Sequence, residues 1–336
     1  MRKILNPLES DNYMRKTIIN FLKNNQDEFI SGEEIANKLG ISRAAVWKHI
    51  QKLRDSGYKI LSREKLGYQL RETPVLLTPE AIQAEIDTEI IAKNISYYEQ
   101  IDSTNRIAKE LAYKGADDGT VVIAEEQIGG KGRLGRSFFS PKFKGLWFSI
   151  ILRPKFLPNE APKCTLMTAV AVANAMIRFN LQPQIKWPND ILFDGRKLVG
   201  ILTEISAEMS KINYIVVGIG INVNVNRNEF PADLQDIATS LSEMNGQPVQ
   251  RLAFFAALLE EFDKIYADVN RNGFDNVLNQ WRKYNITTGK NIRVIPAGSS
   301  EEFNAVAEDI DSDGALIIRT EHGLDKVYAG DVSIRS

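Results

Sequence analysis

Cysteine and histidine are almost missing from this 336-residue chain: Cys164 stands alone, and His49 and His322 are its two imidazoles. A single cysteine cannot close an intrachain disulfide, which fits a reducing compartment. So few thiol and imidazole ligands also argue against a transition-metal centre. Long apolar runs are missing as well. The opening MRKILNPLESDNYMRK holds no stretch fit for a signal peptide, and no later run could span a membrane, so a cytoplasmic protein is expected. Internal repeats and low-complexity tracts are absent. Neither sign of charge dominates, with 42 Lys and Arg against 43 Asp and Glu.

What is present is the composition of a soluble globular protein, 43% apolar and 25% charged, at a length that fits two or three domains. The balanced total hides an asymmetry. Residues 1–73 carry 14 Lys and Arg against 9 Asp and Glu, so a basic head precedes an acidic body, which raises nucleic acid as a partner.

In that head, residues 13–23 read as a helix with Ile18, Ile19 and Leu22 facing inward. Ser31 caps GEEIANKLG, Glu34 completes a capping box, and Gly40 closes the helix. After a three-residue turn Ser42 starts RAAVWKHIQKLR, where Val46, Ile50 and Leu53 form an apolar stripe. Two short strands, YKIL and GYQL, follow. Helix, helix, turn, helix and hairpin make a winged helix-turn-helix. A small interaction module with a solvated basic helix is the plainer alternative, but the short turn, the basic face and the wing together favour DNA. Ser42, Arg43, Trp47, Lys48, Gln51, Lys52 and Arg63 are the candidates for phosphate or base contact.

A boundary falls near Thr73-Pro74. Beyond it the signals alternate: strand 96–101, a helix in DSTNRIAKELAYKG, strand TVVIAEEQ, strand GLWFSIILRP, helix 163–179, then QIKW, a hairpin around Asp194-Gly195, and NYIVVGIGINVN. A long amphipathic helix covers roughly 250–270, and a shorter one ends near Tyr284. From Thr287 only short strands and Gly/Asp/Ser turns remain, which predicts a small β-barrel. The fold class expected is α+β: a winged helix-turn-helix at 1–73, a mixed-sheet α/β domain at 74–285 and a β-rich domain at 286–336.

The chemistry concentrates in EEQIGGKGRLGRSFFSP, residues 125–141. Three glycines (Gly130, Gly132, Gly135) alternate with Lys131, Arg133 and Arg136, a mixture suited to backbone approach and charge toward phosphate or carboxylate. The glycines fit G-x-G-x-x-G, but SFFSPKFKG follows instead of a helix, which disfavours a dinucleotide fold. Asp309, Asp311, Asp313 and Gly314 imitate a calcium loop whose last ligand position is Thr320, so a solvated turn is expected. Three further clusters sit at element ends. Asp102-Ser103-Thr104-Asn105 starts a helix, Lys186-Trp187-Pro188-Asn189-Asp190 ends a strand with Lys197 across the hairpin, and Gly218-Ile219-Gly220-Ile221-Asn222 ends another. Each alone has an ordinary structural explanation, an N-cap, surface lysines or a sheet bend. Their coincidence with the basic glycine loop is the stronger argument.

Together these motifs resemble the bacterial biotin protein ligases that double as repressors of the biotin operon. GGKGRLGRSFFSP matches their ligand loop, KWPND and KLVGILTE their central strands, GIGIN their nucleotide-side strand, and SGEEIANKLGISRAAVWKHIQKLRDSGY the winged helix of the repressor subclass. The tail is similar to their SH3-like C-terminal domain. The resemblance implies activation of biotin with MgATP to biotinyl-5′-AMP and transfer to a lysine of a biotin carboxyl carrier domain. It also implies that the adenylate acts as corepressor, favouring a homodimer that binds operator DNA. Ser103, Thr104, Asn105 and Gln127 would hold the ureido head. Lys131, Gly132 and Arg133 would close over the acid, and Lys197 would meet the carboxylate and phosphate. Gly130, Gly135, Arg136, Lys186, Asn189, Gly218, Gly220 and Asn222 fall on the nucleotide side. Lys197, Arg133 and Asp190 would be catalytic, Asp190 orienting or deprotonating the acceptor lysine. The loop is expected to move when empty and to order over the adenylate. Two departures stand out: Ser137-Phe138 replaces a common Trp, and Lys131 replaces the commoner Arg. A lipoate or octanoate ligase and a purely regulatory effector-binding repressor are the competing readings.

Overall fold

Capping chemistry shapes the start of the chain. In the computed structural model, which describes residues 7–25, 28–55, 57–297 and 302–334, helix α1 spans Pro7–Lys23, α2 Gly32–Leu39 and α3 Arg43–Asp55. Residues 1–6, part of the stretch searched for a signal peptide, lie outside the described residues. Ser31 Oγ accepts from the Glu34 amide at 3.0 Å, Gly40 ends α2 in the left-handed conformation, and Ser42 Oγ accepts from the Ala45 amide at 3.1 Å. Ile18, Leu22, Ile35, Val46 and Ile50 are fully buried at the centre of the three helices. Strands β1 (Lys59–Arg63) and β2 (Gly67–Glu72) pair antiparallel as the wing. The first helix begins six residues earlier than its apolar period indicated, since its first turns lie outside the periodic stripe.

The chain forms two compact units, Met1–Val75 and Leu76–Ser336. The second runs α4 (Pro79–Gln83), β3 (Ile95–Tyr98), α5 (Thr104–Tyr113), β4 (Val121–Ala124), β5 (Gly145–Leu152), α6 (Cys164–Arg178), β6 (Gln184–Lys186), β7 (Asp190–Phe193), β8 (Arg196–Glu208), β9 (Lys211–Asn222), α7 (Leu241–Asn245), α8 (Arg251–Asn272) and α9 (Asp275–Tyr284). Seven strands make one sheet in the order β3-β4-β5-β9-β8-β7-β6, parallel only between β3 and β4. Alternation explains the unbroken apolar strands. Val121, Ile123, Ile150 and Val217 face the core shared with α6 and α8, while Val122, Ile151 and Val216 face α5. The β7–β8 turn has positive φ at both Asp194 (51°) and Gly195 (72°), as an Asp-Gly hairpin requires.

The tail forms β10 (Asn291–Pro296), β11 (Phe303–Ile310), β12 (Leu316–Thr320), β13 (Gly323–Val327) and β14 (Gly330–Ile334), an antiparallel sheet in the order β13-β12-β11-β10-β14. Its calcium-like segment is a turn: Asp311 Oδ1 accepts from the amides of Asp313 and Ala315, and Lys326 Nζ lies 2.8 Å from Asp311 Oδ2. Among the described residues no helix is long and apolar enough to cross a membrane.

One buried ion pair, not evident from the sequence, fixes the end of β4. Glu125 is fully buried, with Arg251 Nη1 2.7 Å from its Oε2 and the Leu77 amide 2.9 Å from its Oε1. Burial and the adjoining Glu125 charge push the Tyr97 phenol well above its ordinary range. Arg251→Met strands the buried carboxylate. It is expected to cost about 3–5 kcal/mol in denaturant unfolding, with partial recovery when Glu125→Gln is added. An unchanged midpoint would contradict that role.

Candidate active site and DNA-facing helix

A cavity of about 390 Å³ opens beside β9, β8 and β7, and most of the residues singled out above meet on its walls. Its polar floor is built from the α5 N-terminus. Thr104 donates its amide (2.8 Å) and hydroxyl (3.1 Å) to Gln127 Oε1, and Gln127 Nε2 donates to Ser140 Oγ at 3.0 Å. Asn105 Nδ2 donates to Glu204 Oε2 at 2.9 Å, and Ser149 Oγ donates to Asn105 Oδ1 at 2.6 Å. Burial by itself would raise the Glu204 carboxyl; hydrogen bonds from Lys109 and Asn105, with the Lys131 charge, outweigh it and hold it below its ordinary value. Thr104, Asn105 and Gln127 therefore brace one another. Ser103, at the N-cap, makes no side-chain cap and faces the cavity.

The GIGIN glycines make room of a different kind from that expected. A Cβ on Gly218 would lie 1.9 Å from Asn105 Oδ1, and one on Gly220 would lie 2.5 Å from the Phe138 ring. The close approach they permit is that of the chain's own amide and phenyl groups. Gly130 behaves similarly, since its Cβ would meet the Phe138 carbonyl at 2.5 Å. Neither Gly130 nor Gly135 lies on the cavity wall, whereas Gly132, Gly218 and Gly220 do.

The basic loop is a small hairpin. Phe138 N donates to Gly130 O (2.8 Å) and Gly132 N to Arg136 O (2.7 Å), and the tip turns through Leu134 and Gly135 at φ 55° and 74°. Both of its arginines are tied to the start of β14, and Arg133 to Asn189 as well. Arg133 donates from Nη1 to Asn189 Oδ1 (2.8 Å) and from Nη2 to Gly330 O (2.9 Å); Arg136 donates to Asp331 Oδ2 at 2.6 Å. Asn189 is itself held by donation to Ile201 O at 2.9 Å. The start of β14 thus reaches the basic hairpin, a contact spanning almost two hundred residues that no local signal announces.

Strand pairing supplies the remaining charges. Lys186 and Asp190 face each other across β6–β7. Lys197 Nζ is 2.6 Å and Lys186 Nζ 3.7 Å from the two oxygens of Asp190, so this carboxylate positions two ammonium groups. The wall carries five cations (Lys131, Arg133, Arg136, Lys186, Lys197) against two carboxylates, Asp190 and Asp331. Such a surplus invites an anion. Asn222 lines the same wall at the end of β9. An apolar side made by Phe139, Phe230, Leu234 and Ile237 was not anticipated, because residues 223–240 have no strong period. Lys197 N donating to Ile237 O at 2.7 Å and Thr239 N donating to Lys197 O at 2.9 Å hold that segment against β8.

In the first unit, Arg43, Trp47, Lys48 and Lys52 are exposed on α3, Gln51 is partly exposed beside them, and Ser42 is the cap. Arg63 lies in β1 with its guanidinium 5.0 Å from the Phe29 ring.

A helix-turn-helix unit and a cation-rich cavity on a mixed sheet define a class of protein in which an anion-binding body shares a chain with a DNA-binding fold. Known proteins carry the same arrangement. Residues 97–222 match the biotin/lipoate A/B protein ligase family, residues 15–69 an HTH domain and residues 287–335 the biotin protein ligase C terminal domain. The bifunctional ligase/repressor BirA of Bacillus subtilis is 39% identical over 96% of this chain and 98% of its own. That of Escherichia coli is 32% identical over 97% and 98%. Among solved structures, the biotin protein ligase from Aquifex aeolicus in complex with biotin and ATP superposes with a TM-score of 0.62, at 27% identity over 72% of this chain and 99% of that one. The chain belongs to the family of bifunctional biotin protein ligase/repressors.

Because Asp331 ties Arg136 and faces Arg133 at 3.9 Å, Asp331→Ala is expected to loosen the hairpin tip. Trypsin should then cut after Arg133 and Arg136 several-fold faster than in the parent. Equal cleavage rates would show that the loop does not depend on β14.

Proposed function

We propose that this protein joins biotin to a lysine of a biotin carboxyl carrier domain in two steps and uses the intermediate to control transcription. Five cations around one cavity, next to a braced polar floor, carry the reading. In the first step a biotin carboxylate oxygen attacks the α-phosphorus of MgATP. The bond to the bridging oxygen breaks and pyrophosphate leaves, giving biotinyl-5′-AMP. Two anions must meet, and negative charge builds on the phosphate oxygens. Lys197 and Arg133, oriented beforehand by Asp190 and Asn189, oppose both costs. Lys131 and Gly132 cover the acid; Arg136, Lys186, Asn189, Gly218, Gly220 and Asn222 serve the nucleotide side. The apolar Phe139–Phe230 side fits an adenine face.

In the second step a neutral lysine amine attacks the acyl carbon and AMP leaves. A free lysine has a pKa near 10.4, so its proton must be removed. Asp190, whose carboxylate lies beside Lys186 and Lys197, is the candidate to orient that amine or to take its proton. Closure of the hairpin over the adenylate shields a reactive anhydride from water.

Ser103, Thr104, Asn105 and Gln127 form a polar end suited to a ureido ring, which a lipoyl chain would not use. The adenylate serves as corepressor if it prefers a homodimer whose α3 helices meet two DNA half-sites. The C-terminal sheet is assigned as an SH3-like fold, the three domains as 1–73, 74–285 and 286–336, and the compartment as the cytoplasm. Purified protein is expected to transfer labelled biotin to a carrier domain only with MgATP. Lipoate transferred instead would move the chain to the lipoyl branch, and no transfer of either would leave a pure regulator.

A further inference from the structure

Three of the four tryptophans are interior: Trp147, Trp187 and Trp281 are exposed by 0%, 1% and 0%. Trp47 is 54% exposed on α3, about a quarter turn around the helix from the buried stripe of Val46, Ile50 and Leu53. One turn to either side of it stand Arg43, exposed, and Gln51, partly exposed. More than half of the Trp47 surface is left to water.

Arg43, Trp47 and Gln51 stand four residues apart, on one line along the helix. Helical rise separates such neighbours by about 6 Å, close to two base-pair steps of about 3.4 Å. Arginine and glutamine are side chains that read guanine and adenine in the major groove. An indole offers a flat apolar edge and one N–H donor, and no acceptor. It cannot pair with the exocyclic amino groups of cytosine or adenine. Thymine alone presents an apolar group and a carbonyl acceptor side by side in the major groove, its C5 methyl and O4.

From this match we infer that Trp47 is a specificity-determining residue that packs on the C5 methyl of one thymine in each DNA half-site. The inference rests on the repressor reading above and names the chemical group that reading would recognise. The contact excludes water from one methyl-sized group, worth roughly fourfold in affinity. Being exposed, Trp47 can be replaced without opening the core.

The test starts with the full chain in biotin and MgATP, used to select a binding site from a pool of random duplexes. The selected duplex is then remade with deoxyuridine in place of each thymine in turn, which removes only the methyl. One replacement per half-site is expected to weaken the parent by roughly fourfold. Trp47→Ala should bind the thymine duplex weakly and be indifferent to that same replacement, while Trp47→Phe keeps part of the sensitivity. Three results would overturn the inference: no methyl sensitivity in the parent, equal sensitivity in Trp47→Ala, or a Trp47→Ala protein that binds the selected duplex as tightly as the parent. Failure to select any duplex would instead remove the repressor reading, and the inference with it.

Discussion

Everything in the larger unit depends on keeping a surplus of positive charge in one cavity without letting it collapse onto the protein's own acids. Four of the five cations share two carboxylates. Asp190 holds Lys197 and Lys186 from below; Asp331, with the Gly330 carbonyl and Asn189, holds the arginines of the hairpin from the side. Each carboxylate is shared between two cations, so neither cancels the field. The cost of orienting long, flexible side chains is met during folding, and the charge is left for a ligand.

The rigidity of the floor has a related origin. Room on β9 at Gly218 and Gly220 lets Asn105 and Phe138 press directly on the sheet, and the Phe138 ring meets Trp147 edge to face at 5.9 Å. Through Asn105 the floor connects to Glu204 and Lys109, and through Phe138 to the hairpin that carries the arginines. A substitution at Gly218 would displace the polar floor at Asn105, and one at Gly220 the hairpin at Phe138.

Much of this was legible in the sequence because the signals are local. Ser31, Gly40, Ser42 and the Asp194-Gly195 turn specify backbone conformation within four residues, and the structure follows them. Charged loops and KWPND announce themselves by composition. What escaped notice is set by tertiary approach: Asp331 against Arg136, Glu125 against Arg251, and the apolar segment 223–240 over Lys197. Those partners lie from tens to almost two hundred residues apart, and a lone Asp or Glu looks like surface until the fold encloses it. The glycines mark the opposite case. Their close approach was anticipated, but what they approach was visible only in three dimensions.

The central claim is that the hairpin arginines grip an acyl-nucleotide. Dissociation of labelled biotinyl-5′-AMP from the parent and from Arg133→Gly tests it most directly. Loss of hydrogen bonds to a charged group predicts release faster by about tenfold or more, with biotin binding itself little changed. Equal release rates for the two proteins would contradict the account.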